Sequence, residues 1–338
     1  MREKNILLGH GSGGKLTHSL IKELFFKYFE NPVLLQQCDS AILGVSEGRL
    51  AFTTDAYVID PLFFPGGNIG KLAVCGTVND LAVSGAVPLY ISAAFIIEEG
   101  FPIKELEEIV SAMADEAKKA GVQVVAGDTK VVNKGQCDKV FINTSGIGIV
   151  EEKHEHISSG SKLEAGDKVI ISGSIARHGM AIMAVRNFGT FKTDIQSDCA
   201  CLNHLVQEVL SSGARVKFMR DATRGGLATV ICEITQHTGL GAEIREEAVP
   251  IDENVRGMCE LLGFDPFYVA NEGTVVMVAH PDDADAIVAA MKKNHLGKGA
   301  AVVGELVADH PGKAILQTAI GGNRIMDMLA GEQLPRIC

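Results

Sequence analysis

Residues 49–97 read RLAFTTDAYVIDPLFFPGGNIGKLAVCGTVNDLAVSGAVPLYISAAFII, and three patterns follow one another within them. RLAFTT (49–54) is a short run suited to a strand. PLFFPGGNIG (61–70) is a Pro/Gly loop, and residues 70–84 form a small-residue helix that Gly85 and Pro88 stop. LYISAAFII (89–97) is a second strand. Strand, helix and strand in so short a stretch predict a sheet covered by helices, the α/β (α+β) class.

The alternation continues in both directions. Residues 16–29 (LTHSLIKELFFKYF) put Leu16, Leu20, Leu24 and Tyr28 on one helical face. Residues 103–119 turn Ile103, Leu106, Val110, Met113 and Ala117 inward. VQVVA after Gly121 runs as a strand into GDT, and 139–150 (KVFINTSGIGIV) adds another. The polar stretch 151–167 marks a boundary, after which KVIISG opens a second alternating half. The expected division is 1–155, 156–325 and an extended, mobile tail, 326–338.

Composition narrows the class. A length of 338 residues suits two domains. The net charge of −11 argues against nucleic acid or an anionic membrane as partner. The longest apolar run, Ala86–Ile97, falls short of the ~20 residues that span a bilayer. The N-terminal residues lack a signal-peptide pattern, so a cytoplasmic protein is expected. Eight cysteines without a CxxC pair suggest a reducing compartment. In CACLNH, Cys199, Cys201 and His204 offer three metal donors without a fourth. The alternative is that Ser197 and Asp198 cap a helix and the cysteines pack as small apolar groups.

Several acids sit where strands or helices end. Asp55 in TTDAYVID, Asn79 and Asp80 in TVNDLAVSGA, and Asp128 in VAGDTK lie beside small residues that let a ligand approach. Each alone is an ordinary turn or cap residue. Together, Asp55, Asp80 and Asp128 suit Mg²⁺ shared with nucleotide phosphates. GHGSGGK (9–15) resembles a phosphate cradle built from Gly11, Gly13, Gly14 and Lys15, or else a flexible lead-in. RDATRGGL (220–227) repeats that logic with Asp221, Gly225 and Gly226. Phe63 and Phe64 either wall a base or pack in the core. Glu272 is a catalytic base or a turn residue; His10 and Lys134 are weaker candidates. The chain's last residue, Cys338, carries a thiol on a segment whose Leu334, Pro335 and Ile337 favour docking.

Taken together, GHGSGGK, TTD with NDLAVSGA, VAGDTKVV, RDATRGGLATV and the terminal PRIC resemble the HypE family of hydrogenase maturation proteins. That family lies within the aminoimidazole ribonucleotide synthetase, or PurM-like, superfamily. The likeness runs from residue 8 to 338. It implies a two-domain PurM-like fold, a homodimer joined through a barrel of N-terminal sheets, and ATP near that interface. Thr129 and Lys130 then join the nucleotide-binding set. The resemblance also implies that the carbamoyltransferase HypF loads Cys338 with a carbamoyl group. Mg²⁺·ATP would dehydrate that group to thiocyanate, with Glu272 as base and His10 and Lys134 orienting. The cyanide would pass to iron on a HypC–HypD complex. Selenophosphate synthetase is the neighbouring alternative, although GHGSGGK lacks its usual cysteine or selenocysteine. A non-catalytic carrier that uses Cys338 and an ATP switch is the third.

Overall fold

Two sheets account for most of the chain, and the boundary between them falls in the polar stretch after residue 150. The computed structural model describes every residue except 1–3, 13, 37–39, 45–46, 188–192, 330, 332–333 and 335. The first sheet contains β1 (Arg49–Tyr57), β2 (Ala86–Glu98), β3 (Gln123–Val132) and β4 (Val140–Val150) in the order β1-β4-β2-β3. Only the β2/β3 pair is parallel, which is why a crossover helix lies between those strands.

Two helices cover one face of this sheet. α1 (Ile69–Val83) is buried on nearly all sides, and Asn68 caps it by accepting from Lys71 N at 3.0 Å. Its small residues permit that burial: a Cβ at Gly70 would overlap the Ile109 carbonyl oxygen, and one at Gly76 the Tyr57 hydroxyl. α2 (Ile103–Ala120) buries Ile103, Leu106, Val110, Met113 and Ala117, as its spacing predicts, and ends at left-handed Gly121. Much of the other face is open among the described residues. Leu50 and Phe52 are 62% and 70% exposed, and register places them beside Ile149 and Ile147, with Val87 and Tyr90 beyond.

The first helical segment, 15–29, departs from the regular period. A π-turn at Ile21–Phe25 adds a residue to that turn, so Leu24 and Phe25 are both buried and Phe29 replaces Tyr28 on the inner face.

The second sheet has seven strands: β5 (Lys168–Ile171), β6 (Val216–Asp221), β7 (Gly241–Arg245), β8 (Val275–Ala279), β9 (Ala301–Val307), β10 (Ala314–Gln317) and β11 (Asn323–Met326). Their order is β11-β10-β7-β9-β5-β8-β6. β8 reads VVMVA without alternation because both faces are covered. Val276 and Val278 pack with Leu227 and Ile231 of α5 (Gly226–Thr238). Val275 and Met277 pack with Leu205 of α4 (Asn203–Ser211) and Ile287 of α7 (Ala284–Met291). Two remaining helices, α3 (Arg177–Arg186) and α6 (Glu253–Leu262), join the core of the first sheet.

The described part of the C-terminal tail is docked, where the sequence predicts a mobile one. Leu334 and Ile337 are buried in the first core because they supply apolar surface that a solvated tail would leave wet.

Packing around α1 gives a paired prediction. Gly70→Ala should lower the unfolding free energy by about 1–3 kcal/mol through overpacking. Gly257→Ala, on the open face of α6 with nothing within 4 Å, should raise it by about 0.5–1 kcal/mol. Urea denaturation of both variants checks the signs.

Candidate active site between the two sheets

Alternation along β1 sends Thr53, Asp55 and Tyr57 to its inner face. Thr53 donates its hydroxyl to Asp80 Oδ2 at 2.7 Å, and the Tyr57 hydroxyl donates to Asp55 Oδ2 at 3.0 Å. Asp80 projects from the last turns of α1. Asp221 ends β6, just ahead of the glycine pair that starts α5. Thr53, Asp80 and Asp221 line an interdomain cleft of about 680 Å³, together with Arg220 and Arg224.

Mutual repulsion marks this group. Burial, then the charge of Asp55, raises the Asp80 carboxyl above the usual range, against the Thr53 hydrogen bond. Burial and Asp80 push Asp221 up to about 7. Glu272 is buried and lifted well above its ordinary range by burial, with Cys199, Asp221, Asp198 and Asp55 acting in the same direction. Its Oε1 is buried without a hydrogen-bond partner. Acids from four separate motifs thus share one field that Arg220 only partly offsets, which suits a hard divalent cation.

The glycine pair explains itself sterically. Gly225 and Gly226 have φ of 75° and 60°, and a Cβ on Gly226 would sit 2.6 Å from Phe267 O. No side chain caps α5; Gly226 N donates to Thr223 O at 2.9 Å, and Thr223, Arg224 and Thr229 line the cleft at this helix start.

Asn79 is a correction. Its Nδ2 donates to Ala200 O at 3.0 Å and Glu272 O at 3.3 Å, while its Oδ1 accepts from Leu202 N at 2.7 Å. Both ends of the amide are used on backbone, so in this structure it fastens the two domains. Asp198 does related work unforeseen in the sequence. It accepts from Glu272 N, Gly273 N and the Thr274 hydroxyl at 2.9–3.1 Å, fixing the turn that carries Glu272. It caps no helix, because α4 starts only at Asn203.

A second cluster gathers at the other edge of the first sheet. Asp128 is exposed on β3, where both carboxylate oxygens accept from Lys130 Nζ at 2.7–2.8 Å, holding it below the usual range. Thr129 beside it is buried. The GHGSGGK loop packs here: a Cβ on Gly11 would overlap Val131 N. His10 is buried, with Nδ1 accepting from Leu7 N at 2.9 Å and Nε2 unpartnered. Gly14 and Lys15 are exposed at the start of the first helical segment. Gly13 lies outside the described residues.

Within one chain, these residues do not meet the cleft. Asp55 lies in the inward row Thr144, Ala93, Gly127; Asp128 lies in the next row, with Ala94, Asn143 and Ala56. The two acids are therefore on opposite faces and three strand spacings apart, about 14 Å. His10 belongs to the distant cluster as well.

The tail docks at the end of β1. Cys338 O accepts from Val58 N at 3.1 Å, and Arg336 O from Asp60 N at 3.3 Å. Arg336 bonds Val58 O and Asp138, on the same turn as exposed Lys134. Arg186 Nη2 reaches Asp60 O and Arg336 O at 2.6 and 2.8 Å. Most telling is His178, fully buried and held neutral by burial: Nε2 donates to Ile337 O and Nδ1 accepts from the Ser197 hydroxyl, each at 2.8 Å. Ser197 Oγ also accepts from Cys199 N. A hydrogen-bonded path thus leads from the tail to the segment that holds Glu272. A histidine alone in an apolar helix was the one local signal.

Models of the AIR synthase related proteins match at residues 37–150 (N-terminal domain) and 164–317 (C-terminal domain). The carbamoyl dehydratase HypE of Rhodobacter capsulatus is 48% identical over all of this chain and 99% of its own length. The chain belongs to the HypE family. HypE of Escherichia coli is 47% identical over 99% of each chain. A crystal structure of HypE in complex with ATP superposes with a TM-score of 0.94 at 44% identity, covering 98% of this chain and 99% of that one. A HypE structure in a HypE–HypF complex gives 0.80 at 46%, covering 92% of this chain and 100% of that one. Like other HypE proteins, this chain is a carbamoyl dehydratase with the PurM-like fold.

The acid cluster makes stability depend on pH. Asp221 rises from 3.8 unfolded to about 7 folded, so between those values the folded state binds the extra proton. Its carboxyl therefore disfavours folding increasingly as pH rises from about 4 to 7, and fully above that. Asp221→Asn should raise Tm at pH 8 and lose that advantage near pH 4, measured by calorimetry without divalent cations.

Proposed function

We propose that the chain dehydrates an S-carbamoyl group on its own Cys338 to a thiocyanate, using Mg²⁺·ATP, in the cytoplasm. The cyanide is destined for the iron of a nickel–iron hydrogenase centre. The observation that carries this reading is the docked tail, seated on β1 and linked through His178 and Ser197 to the Glu272 segment.

The overall change is R–S–C(=O)NH₂ + ATP → R–S–C≡N + ADP + phosphate + H⁺. The amide oxygen forms a bond to the γ-phosphorus, and the bond from that phosphorus to the β,γ-bridging oxygen breaks. The C–O bond then breaks, phosphate leaves, and nitrogen gives up both protons as the nitrile forms. Glu272 takes one of them and later releases it to solvent, and the departing phosphate takes the other. In its ionised form a carboxylate lifted by burial is a stronger proton acceptor than a solvated glutamate. Lys134, on the turn that grips Arg336, steadies the departing phosphate.

Asp55 and Asp80 fit a magnesium ion, since their neighbours leave uncompensated charge around them. When bound, that ion neutralises charge on the transferring phosphoryl group. The second cluster belongs to the same reaction through a second copy of the chain. The bare apolar face around Leu50 and Phe52 suits a homodimer whose sheets join in a barrel. Gly11, Gly14, Lys15, Asp128, Thr129 and Lys130 of one copy then serve the cleft of the other. HypF, as the loading carbamoyltransferase, and a HypC–HypD complex, as acceptor, are the partners of this cycle.

Carbamoylated Glu272→Gln, given ATP and magnesium, should keep its carbamoyl mass, with dehydration slowed about 10²–10⁴-fold and ATP binding unchanged. Dehydration at the normal rate would remove Glu272 from the mechanism. The composite site has its own test. Asp80→Asn and Asp128→Asn should each be inactive, yet after random subunit exchange a mixture should regain about a quarter of wild-type turnover. No recovery would mean that both acids serve one chain's site.

A further inference from the structure

The CACLNH motif lacks companions in the sequence, and the fold supplies them. Cys75 of α1, Glu116 of α2 and Cys201 present donor atoms within 4.8 Å of one another. The Cys75 and Cys201 sulfurs are 3.7 Å apart. Cys199 neighbours Cys75 but falls outside the group whose donor atoms all approach one another within 4.8 Å. His204, the third donor suggested by the motif, is engaged elsewhere, with Nε2 2.8 Å from Lys119 O.

The spacing is chemically informative. A tetrahedral zinc ion with Zn–S bonds of ~2.3 Å holds two sulfurs about 3.75 Å apart, so the thiols already stand at the separation such an ion requires. Glu116 is buried, and Lys119 Nζ contacts its Oε2 at 3.2 Å, an outer partner that orients a ligating carboxylate. A separate cavity of about 430 Å³ reaches Glu116 and Cys199, with Lys71, Lys119 and Arg177 along it. It offers an entry path outside the cleft of Asp80 and Asp221. Redox pairing is a poorer use of these thiols. Burial pushes Cys75 well up, and the neighbouring Cys75, then burial, push Cys199 up, which keeps thiolate scarce unless a metal draws the proton off.

We propose that Cys75, Cys201 and Glu116 form a site for a thiophilic divalent cation of the zinc type. Binding converts each ligating thiol to a thiolate and releases one proton per sulfur. The ion staples the 197–203 segment to α1 and α2, and so fixes the Ser197 and Asp198 contacts described above.

The test uses full-length protein carrying Cys338→Ala, so that the tail thiol cannot contribute. After chelator treatment under reducing conditions, cobalt(II) is titrated and the cobalt–thiolate charge-transfer band recorded. The expected result is a band that saturates at one ion per chain and is displaced by zinc, with proton release on binding. Cys75→Ala and Cys201→Ala should each abolish or strongly weaken it, and Glu116→Gln should weaken binding about 10–100-fold. Melting in chelator establishes that the variants are folded. A variant that does not fold is replaced by its serine counterpart. Absence of a thiolate band in the parent, or a band that persists in the Cys75→Ala/Cys201→Ala double variant, would overturn the site. So would a two-hydrogen mass loss marking a disulfide in place of metal binding.

Discussion

Like charges held together out of water are the constraint around which this molecule is organised. Asp55, Asp80, Asp221 and Glu272 come from four motifs and two sheets; burial and Asp55 raise Asp80, burial, Asp80 and Asp55 raise Asp221, and burial, Asp221 and Asp55 are among the causes that raise Glu272. Left alone, such a group would open the cleft. Hydrogen bonds hold the cleft together: the Asn79 amide spans both domains, and the Asp198 carboxylate accepts three hydrogen bonds from the turn around Glu272. Under the proposed function a bound cation would relieve that repulsion, so ligand affinity and domain cohesion would draw on the same electrostatic imbalance.

Separation of the two residue clusters has a matching logic. Under the proposed function, a phosphate cradle at one sheet edge and metal-binding acids at the other would leave each copy of the chain incomplete. Under the proposed dimer, turnover requires assembly, and a lone chain in the cell would not hydrolyse ATP wastefully.

Much of this was legible along the chain, because the signals are local. The stripe in α2 has a clean helical period, and the acids of TTD, ND and RDATRGG each stand where an element ends. What escaped reading depends on distant partners. Whether Asp128 faces Asp55 is decided by cross-strand register, including the irregularity between Ile91 and Ser92. Asn79 and Asp80 are adjacent, but about 100° of helix rotation sends one to the interdomain backbone and the other to the cleft. The π-turn in 21–25 shifts a face that a strict 3.6 period assigns to Tyr28. His178 finds Ile337 across 159 positions, a pairing that no window of sequence contains.

Docking of the tail sets a kinetic condition on any enzyme that must load it. Withdrawing Leu334 and Ile337 from their pockets costs roughly 1.5–3 kcal/mol each. At that penalty only about one chain in 10²–10⁴ presents its thiol outward at a given moment. A loading partner that recognises only the withdrawn tail would see its affinity reduced by the same factor. Efficient charging therefore requires that partner to bind the folded body first and hold the tail after it leaves. The apolar residues that seat the thiol for chemistry are also the surface by which another protein can hold it away.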